Sequence, residues 1–452
     1  VLILNPLQRK ITERRGFPVF PGAFPKLGHL PAIATDYLGL VRLAERDLGS
    51  FFWLNGGFGV ENLTCVDPEV FTIFRNKVTT STYLQKLLPD VFGISIIAQD
   101  GPVHRHMRSA MDAPFLPRGL TAAAVGPLLA ELIERRVQAW RDAGEVAILA
   151  ETRELVLAIM FRLLGVPETN LSAWRERYED LMLLAINLPL DLPGLPRRRG
   201  LRARAWLNEH LLEIIRHARE QPGGEGMLPA IVAGRDEGGA GLTDDELVDN
   251  LRLLVLAGHE TSASTIAWMV IMLAQRPDVW EKLCDEAFAA GSVPQSPKEL
   301  RAFPYAEAVF RETLRLHPPV ASDARVAIVD FELAGRMVRA GDRVMISILH
   351  LSRDPKIYDR PDEFVPERWI GRTEAPSALE LVQFGGGPHF CLGYHLAWME
   401  IVQFGVALAL ALRGRALRPK LAGAPPKVRY LPLLHPSANT RITFAKASSS
   451  VS

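Results

Sequence analysis

Cysteine is scarce in this chain: three residues in 452, at Cys65, Cys284 and Cys391. They are far apart and odd in number, which excludes a disulfide framework and suits a reducing interior. No two of them lie within the ligand spacing of a structural zinc site. An excess of one charge is also missing. The 52 basic and 51 acidic residues leave a net charge of +1, so nothing global draws the chain to nucleic acid or to an anionic membrane. No apolar run reaches the length of a membrane span, and there is no internal repeat. A linker that would divide the chain is absent as well. The composition, 48% hydrophobic and 23% charged, is that of an ordinary globular protein, and one large domain is expected although length alone suggests two or three. The sequence begins at Val1 rather than Met. A cytoplasmic monomer is expected, with an anchor in preceding sequence left open.

What is present reads as a mainly α chain with a minor β region. Pro18, Pro21, Pro25 and Pro31 predict a stiff, extended opening segment rather than a helix. Apolar stretches at Phe51–Leu54 and Asn62–Val66 predict a hairpin. From about 115 to 290 the apolar spacing is helical. Strand signals return at Arg325–Val329, Phe331–Ala334 and Arg343–Ile348. Residues 446–452 (Lys-Ala-Ser-Ser-Ser-Val-Ser) predict a disordered tail.

The most informative run is Phe384-Gly385-Gly386-Gly387-Pro388-His389-Phe390-Cys391-Leu392-Gly393, followed by an apolar helix-like stretch from Leu396 to Leu412. A lone thiol among glycines suits either a small buried apolar residue or a thiolate ligand around which the backbone can close. Thr243 and Glu246 form a capping box ahead of a helix that runs until Arg276-Pro277, about 32 residues or roughly 48 Å. Its middle, Ala257-Gly258-His259-Glu260-Thr261-Ser262, carries a glycine and hydroxyls that loosen a helix ladder and admit water. Glu312 and Arg315 share a helix face ahead of Pro318-Pro319, a spacing that by itself fits a surface ion pair.

Together these runs resemble the cytochrome P450 family: Phe-x-x-Gly-x-x-x-Cys-x-Gly, Ala-Gly-x-Glu-Thr and Glu-x-x-Arg all occur, in the expected order. The resemblance implies a single cytochrome P450 domain over 16–445 that binds haem b, with Cys391 as axial iron ligand and Phe384, Gly393 and Ala257 around the cofactor. It implies propionate partners at His104, Arg108, Arg325 and His389. Arg105 and His106 are read as solvated. Thr261 and Glu260 are the implied catalytic pair, delivering protons to a site that otherwise excludes water. Glu312, Arg315 and Arg368 are the implied buried structural network.

The resemblance also implies an apolar substrate of terpenoid, steroid, retinoid, fatty-acid or polyketide type, touched by Leu87, Leu88, Val91, Phe92, Leu254, Ala257, Val320, Ala321 and Leu433. Asp323 is read rather as an ion-pair partner. The segment 181–195, followed by Arg197, Arg198, Arg199, Arg202 and Arg204, corresponds to the family's lid. Around Gly200 the sequence is similar to the retinoid and sterol hydroxylase branch. No flavin or iron–sulfur motif is found, so electrons are expected from a separate ferredoxin or flavodoxin with its reductase, and O2 is the co-substrate. The rival readings are a haem-thiolate peroxygenase, isomerase or dehydratase, which the acid–alcohol pair disfavours, and a non-catalytic haem sensor.

Overall fold

The computed structural model describes residues 2–8, 10–75, 77–166, 171–186, 196–413 and 416–446. Lys446, the first residue of the expected tail, instead closes the strand Arg441–Lys446, where it pairs with Leu417; residues 447–452 and the segment 187–195 of the expected lid lie outside the described residues. The long helices are α1 (Leu30–Leu48), α2 (Gly101–Phe115), α3 (Val125–Ala143), α4 (Ile148–Leu163), α5 (Leu171–Met182), α6 (Pro196–Glu220), α7 (Asp244–Gln275), α8 (Pro277–Ala290), α9 (Pro304–Leu316) and α10 (Tyr394–Arg413).

The opening segment departs from expectation in one respect. Phe17–Val19 is extended, but α1 begins at Leu30 and takes Pro31 into its first turn. There the missing N–H has no intrahelical partner to lose, so proline starts the helix instead of preventing it. The strands Phe51–Asn55 and Glu61–Cys65 pair antiparallel as the predicted hairpin. They join a seven-stranded sheet through Arg343–Ile346, which runs parallel to Glu61–Cys65 and antiparallel to Asp323–Ala327. The predicted strand over Arg343–Ile348 stops at Ile346, because a helical turn opens at Ile348.

Helix α7 is the central element. It starts at the Thr243 cap, with both halves of the capping box formed, and ends where Arg276-Pro277 breaks it. Its continuous burial from Ser262 to Ile271, with Leu251, Ile266 and Val270 at 0% exposure, marks a core helix rather than a surface one. Gly258 has a packing role on α7: a Cβ there would stand 2.9 Å from the sulfur of Met160, so glycine is what lets α4 cross this closely. The sequence reading of Gly258 as a loosening residue is corrected accordingly, since the helix is continuous across it. Helix α10 is long and apolar enough to cross a membrane, yet 72% of that window is buried inside the fold.

Candidate active site

The thiol loop is built by positive-φ glycines and close backbone approach. Gly385 and Gly387 have φ of 72° and 60°. A Cβ on Gly386 would meet the Phe71 ring at 2.7 Å, and one on Gly387 would overlap the Phe74 carbonyl. The loop is thereby pressed against the turn Pro68–Phe74. Phe384 closes it, its carbonyl accepting from the Cys391 N–H at 2.9 Å and its ring meeting Tyr394 edge-on at 4.8 Å. Burial pushes the Cys391 thiol up; the Gly393 N–H and the Arg108 charge act in the other direction. The cysteine nevertheless keeps partial exposure. Ala257 on α7 is likewise exposed.

A cluster of basic side chains lies beside this loop. His104 and His389 stack with ring centres 4.2 Å apart. Burial, then the neighbouring His389 and Arg108, with a smaller push from Arg325, lower His104 to about 4. Arg325 is 6% exposed, and its Nε has no hydrogen-bond partner among the described residues. Asp323, read as an ion-pair partner, stands 3.8 Å from that Nε. A buried imidazole beside a buried arginine with one N–H left open supplies donors that fit a group carrying two carboxylates. The thiol and the basic cluster together suit haem.

The four propionate candidates are not equivalent. Arg108 donates from Nη1 to the Phe390 carbonyl at 2.5 Å and from Nε to Asp112 at 2.6 Å, which ties α2 to the thiol loop. His389 Nε2 lies 2.8 Å from Asp100. Burial opposes ionisation of Asp100, but His389, the Thr80 hydroxyl and the Ser81 N–H hold it well below the ordinary carboxylate range. His106, read as solvated, instead contacts Asp236 at 2.7 Å, because the segment after residue 233 folds back over α2.

On α7 the Thr261 hydroxyl donates to the Ala257 carbonyl at 2.6 Å, and Thr265 donates to the Thr261 carbonyl at 2.9 Å. Glu260 is gripped by Arg153 of α4, from Nε at 3.1 Å and Nη2 at 2.8 Å. Both line a cleft with Leu157, Met182, Leu256 and His259. Neither Arg153 nor Glu400 was singled out in the sequence. Glu400 lies on α10, 3% exposed, and hydrogen-bonds to Ser262 next to Thr261. Burial pushes it up to about 7. An acidic residue inside the apolar stretch 396–412 was the available signal.

The structural trio does meet. Glu312, fully buried, accepts from Arg315 Nε at 2.9 Å and Nη2 at 2.8 Å, from Arg368 Nε at 3.0 Å, from the Val365 N–H at 2.8 Å and from Trp369 Nε1 at 2.9 Å. Arg315 also donates to the carbonyls of Ser352, Pro361 and Glu363. With so many partners this is a satisfied buried pair and not the surface bridge that spacing alone suggested. Trp369, adjacent to Arg368, was missed.

The expected substrate contacts are spread over several segments. Leu87 is 37% exposed and Val91 packs into the main core. Leu88, Phe92, Leu254, Val320, Ala321 and Leu433 are half-buried. The arginine run is partly paired: Arg197 and Arg204 of α6 reach Asp90 at 2.9 and 3.5 Å, and Arg199 reaches Asp180 at 2.5 Å.

A mostly helical fold with a minor β region, wrapped around a glycine-cradled thiol, defines a haem-thiolate protein. The cytochrome P450 family model matches residues 84–413, and the chain belongs to that family. A cytochrome P450 BJ-4 homolog of Sinorhizobium fredii is 46% identical over 445 residues, which is 98% of this chain and 100% of that protein. Cytochrome P450 BJ-4 of Bradyrhizobium diazoefficiens is 44% identical over the same length. The solved structure of retinoic acid bound cyanobacterial CYP120A1 is similar with a TM-score of 0.81 at 26% identity, covering 94% of this chain and 98% of that one. The protein is therefore a haem-binding oxidoreductase of the monooxygenase type, and its family carries the iron on a cysteine thiolate.

Proposed function

We propose that a domain spanning 16–445 hydroxylates or epoxidises an apolar, terpenoid-like substrate at a haem held by Cys391. The observation that carries this reading is the partly exposed Cys391 thiol in its glycine loop beside the basic residues His104 and Arg325, the latter with its Nε lacking a hydrogen-bond partner among the described residues. The retinoic acid in the cyanobacterial relative supports a long, apolar isoprenoid substrate. Electrons come from a ferredoxin or flavodoxin with its reductase, in keeping with the family's general use of redox partners. Free Cys65 and Cys284, both buried, agree with a reducing, cytoplasmic setting.

Bound haem supplies the activation of O2; the chain supplies its surroundings. Cys391 presents its sulfur with the Gly393 N–H directed at it. His104 and Arg325 would hold the haem carboxylates, while Arg108 and His389 fix the thiol loop and the Asp100 turn. Phe92, Val320, Ala321 and Leu433 exclude water and orient the substrate. Thr261 passes protons at its hydroxyl, and Glu260 resupplies them from the outer cleft once it leaves Arg153.

The test is the CO difference spectrum of the reduced protein. A thiolate-type Soret band that Cys391→His converts to a histidine-type band is expected. A histidine-type band in the unaltered protein would overturn the ligand assignment. Label from O2 in the product then separates a monooxygenase from a peroxygenase or isomerase, and a sensor would yield no product.

A further inference from the structure

The four hydroxyls clustered on α7 do different things. Thr261 and Thr265 donate to carbonyls one turn back on their own helix, the usual use of a hydroxyl in a helix interior. Ser262 bonds to Glu400. Ser264, 1% exposed, donates at 2.6 Å to the carbonyl of Leu434 instead. Leu434 belongs to a hairpin in which Val428–Arg429 pairs with His435–Pro436. Its N–H donates to the Pro319 carbonyl at 2.7 Å. Both backbone groups of one buried residue are thus fixed, one by α7 and one by the turn after α9. The half-buried neighbours are Leu433 on the hairpin and Val320 on the turn. Ser264 follows Thr261 by three positions, so the two share a helix face.

We infer that Ser264 is a specificity-determining positioning residue: through the Leu434 carbonyl it sets where Leu433 and Val320 stand relative to Thr261. This rests on the proposed substrate pocket. Loss of the hydroxyl leaves a buried carbonyl without its donor and frees the hairpin tip, which widens the space over the reaction centre and changes which ligand shapes it accepts. Ser264 contacts neither substrate nor cofactor; it acts through Leu433.

Two variants isolate the bond. Ser264→Thr and Ser264→Val add the same bulk and differ in the hydroxyl, and Ser264→Ala removes it without added bulk. Amide exchange of residues 433–435 is measured first. It is expected to rise roughly fivefold in the Ala and Val variants, with Thr close to the unaltered protein. The ratio of spectral affinities for imidazole and phenylimidazole is measured second. It is expected to shift several-fold toward the larger ligand when the hydroxyl is lost, with the reduced CO band unchanged. Faster exchange with an unchanged ligand ratio would make Ser264 merely structural, and equal exchange in Thr and Val would remove the bond's role altogether; either overturns the inference. A missing thiolate band in the unaltered protein would instead refute the haem-site reading, while the exchange comparison would still decide whether the bond holds the hairpin.

Discussion

Arg153 holds Glu260 through a single oxygen, Oε2, with Nε at 3.1 Å and Nη2 at 2.8 Å; the other oxygen lies 3.7 Å from His259 Nδ1. The carboxylate assigned to resupply Thr261 is therefore at rest in the outer cleft. Proton delivery requires it to exchange Arg153 for Thr261 or for water near it. Glu260→Gln is expected to slow turnover by about 10²-fold while ligand affinity stays within about twofold, as measured by stopped-flow reduction and spectral titration. A variant that turns over at the normal rate would remove Glu260 from the relay.

Glu312 has five donors and no exposure. Glu312→Ala strands the Arg315 and Arg368 charges and should cost ~3–5 kcal/mol, along with loss of haem incorporation. Urea unfolding and the haem-to-protein absorbance ratio measure the two effects. A stable variant with full haem would contradict the assignment.

Glu400 carries a pH dependence of stability. Burial raises its folded-state value from 4.5 to about 7, so the folded protein binds this proton more tightly than the unfolded chain. The stabilisation is fully present below about 4.5 and is lost as pH rises through 7, a change of ~3 kcal/mol. Glu400→Gln, neutral at every pH, should unfold at a higher denaturant concentration than the unaltered protein at pH 8 and close to it at pH 4.5. Parallel pH profiles for the two proteins would refute this.

Asp90, between Leu88 and Val91, is clamped by Arg197 and Arg204 of α6. The pairs are partly exposed and weak, ~1 kcal/mol at most, and salt screens them. Asp90→Asn should speed association of lauric acid several-fold, and high salt should bring the unaltered protein toward the same rate. Identical rates at low salt would show that the clamp does not limit access.

Motifs that are local in sequence were legible without coordinates. Each fixes a backbone or a cap within a few residues, as the glycines around Cys391 and the Thr243 box do. Glu312 was legible in part: Arg315 is one turn away, but Trp369 became visible only once the loop was seen to return. Contacts made across the chain were not legible. Arg153 and Glu260 are separated by 107 positions and Ser264 and Leu434 by 170, and neither a serine nor an arginine announces its partner. Residue type alone also misleads: Pro31 reads as a breaker until its place in a first turn is known.

The bond from Ser264 to Leu434 bears on how such proteins diversify. A hairpin exchanged between relatives arrives with its side chains but without the helix hydroxyl that seats it. Recombination that moves 428–436 alone should scatter the ligand preference, whereas moving it together with position 264 should carry the preference over as a heritable unit.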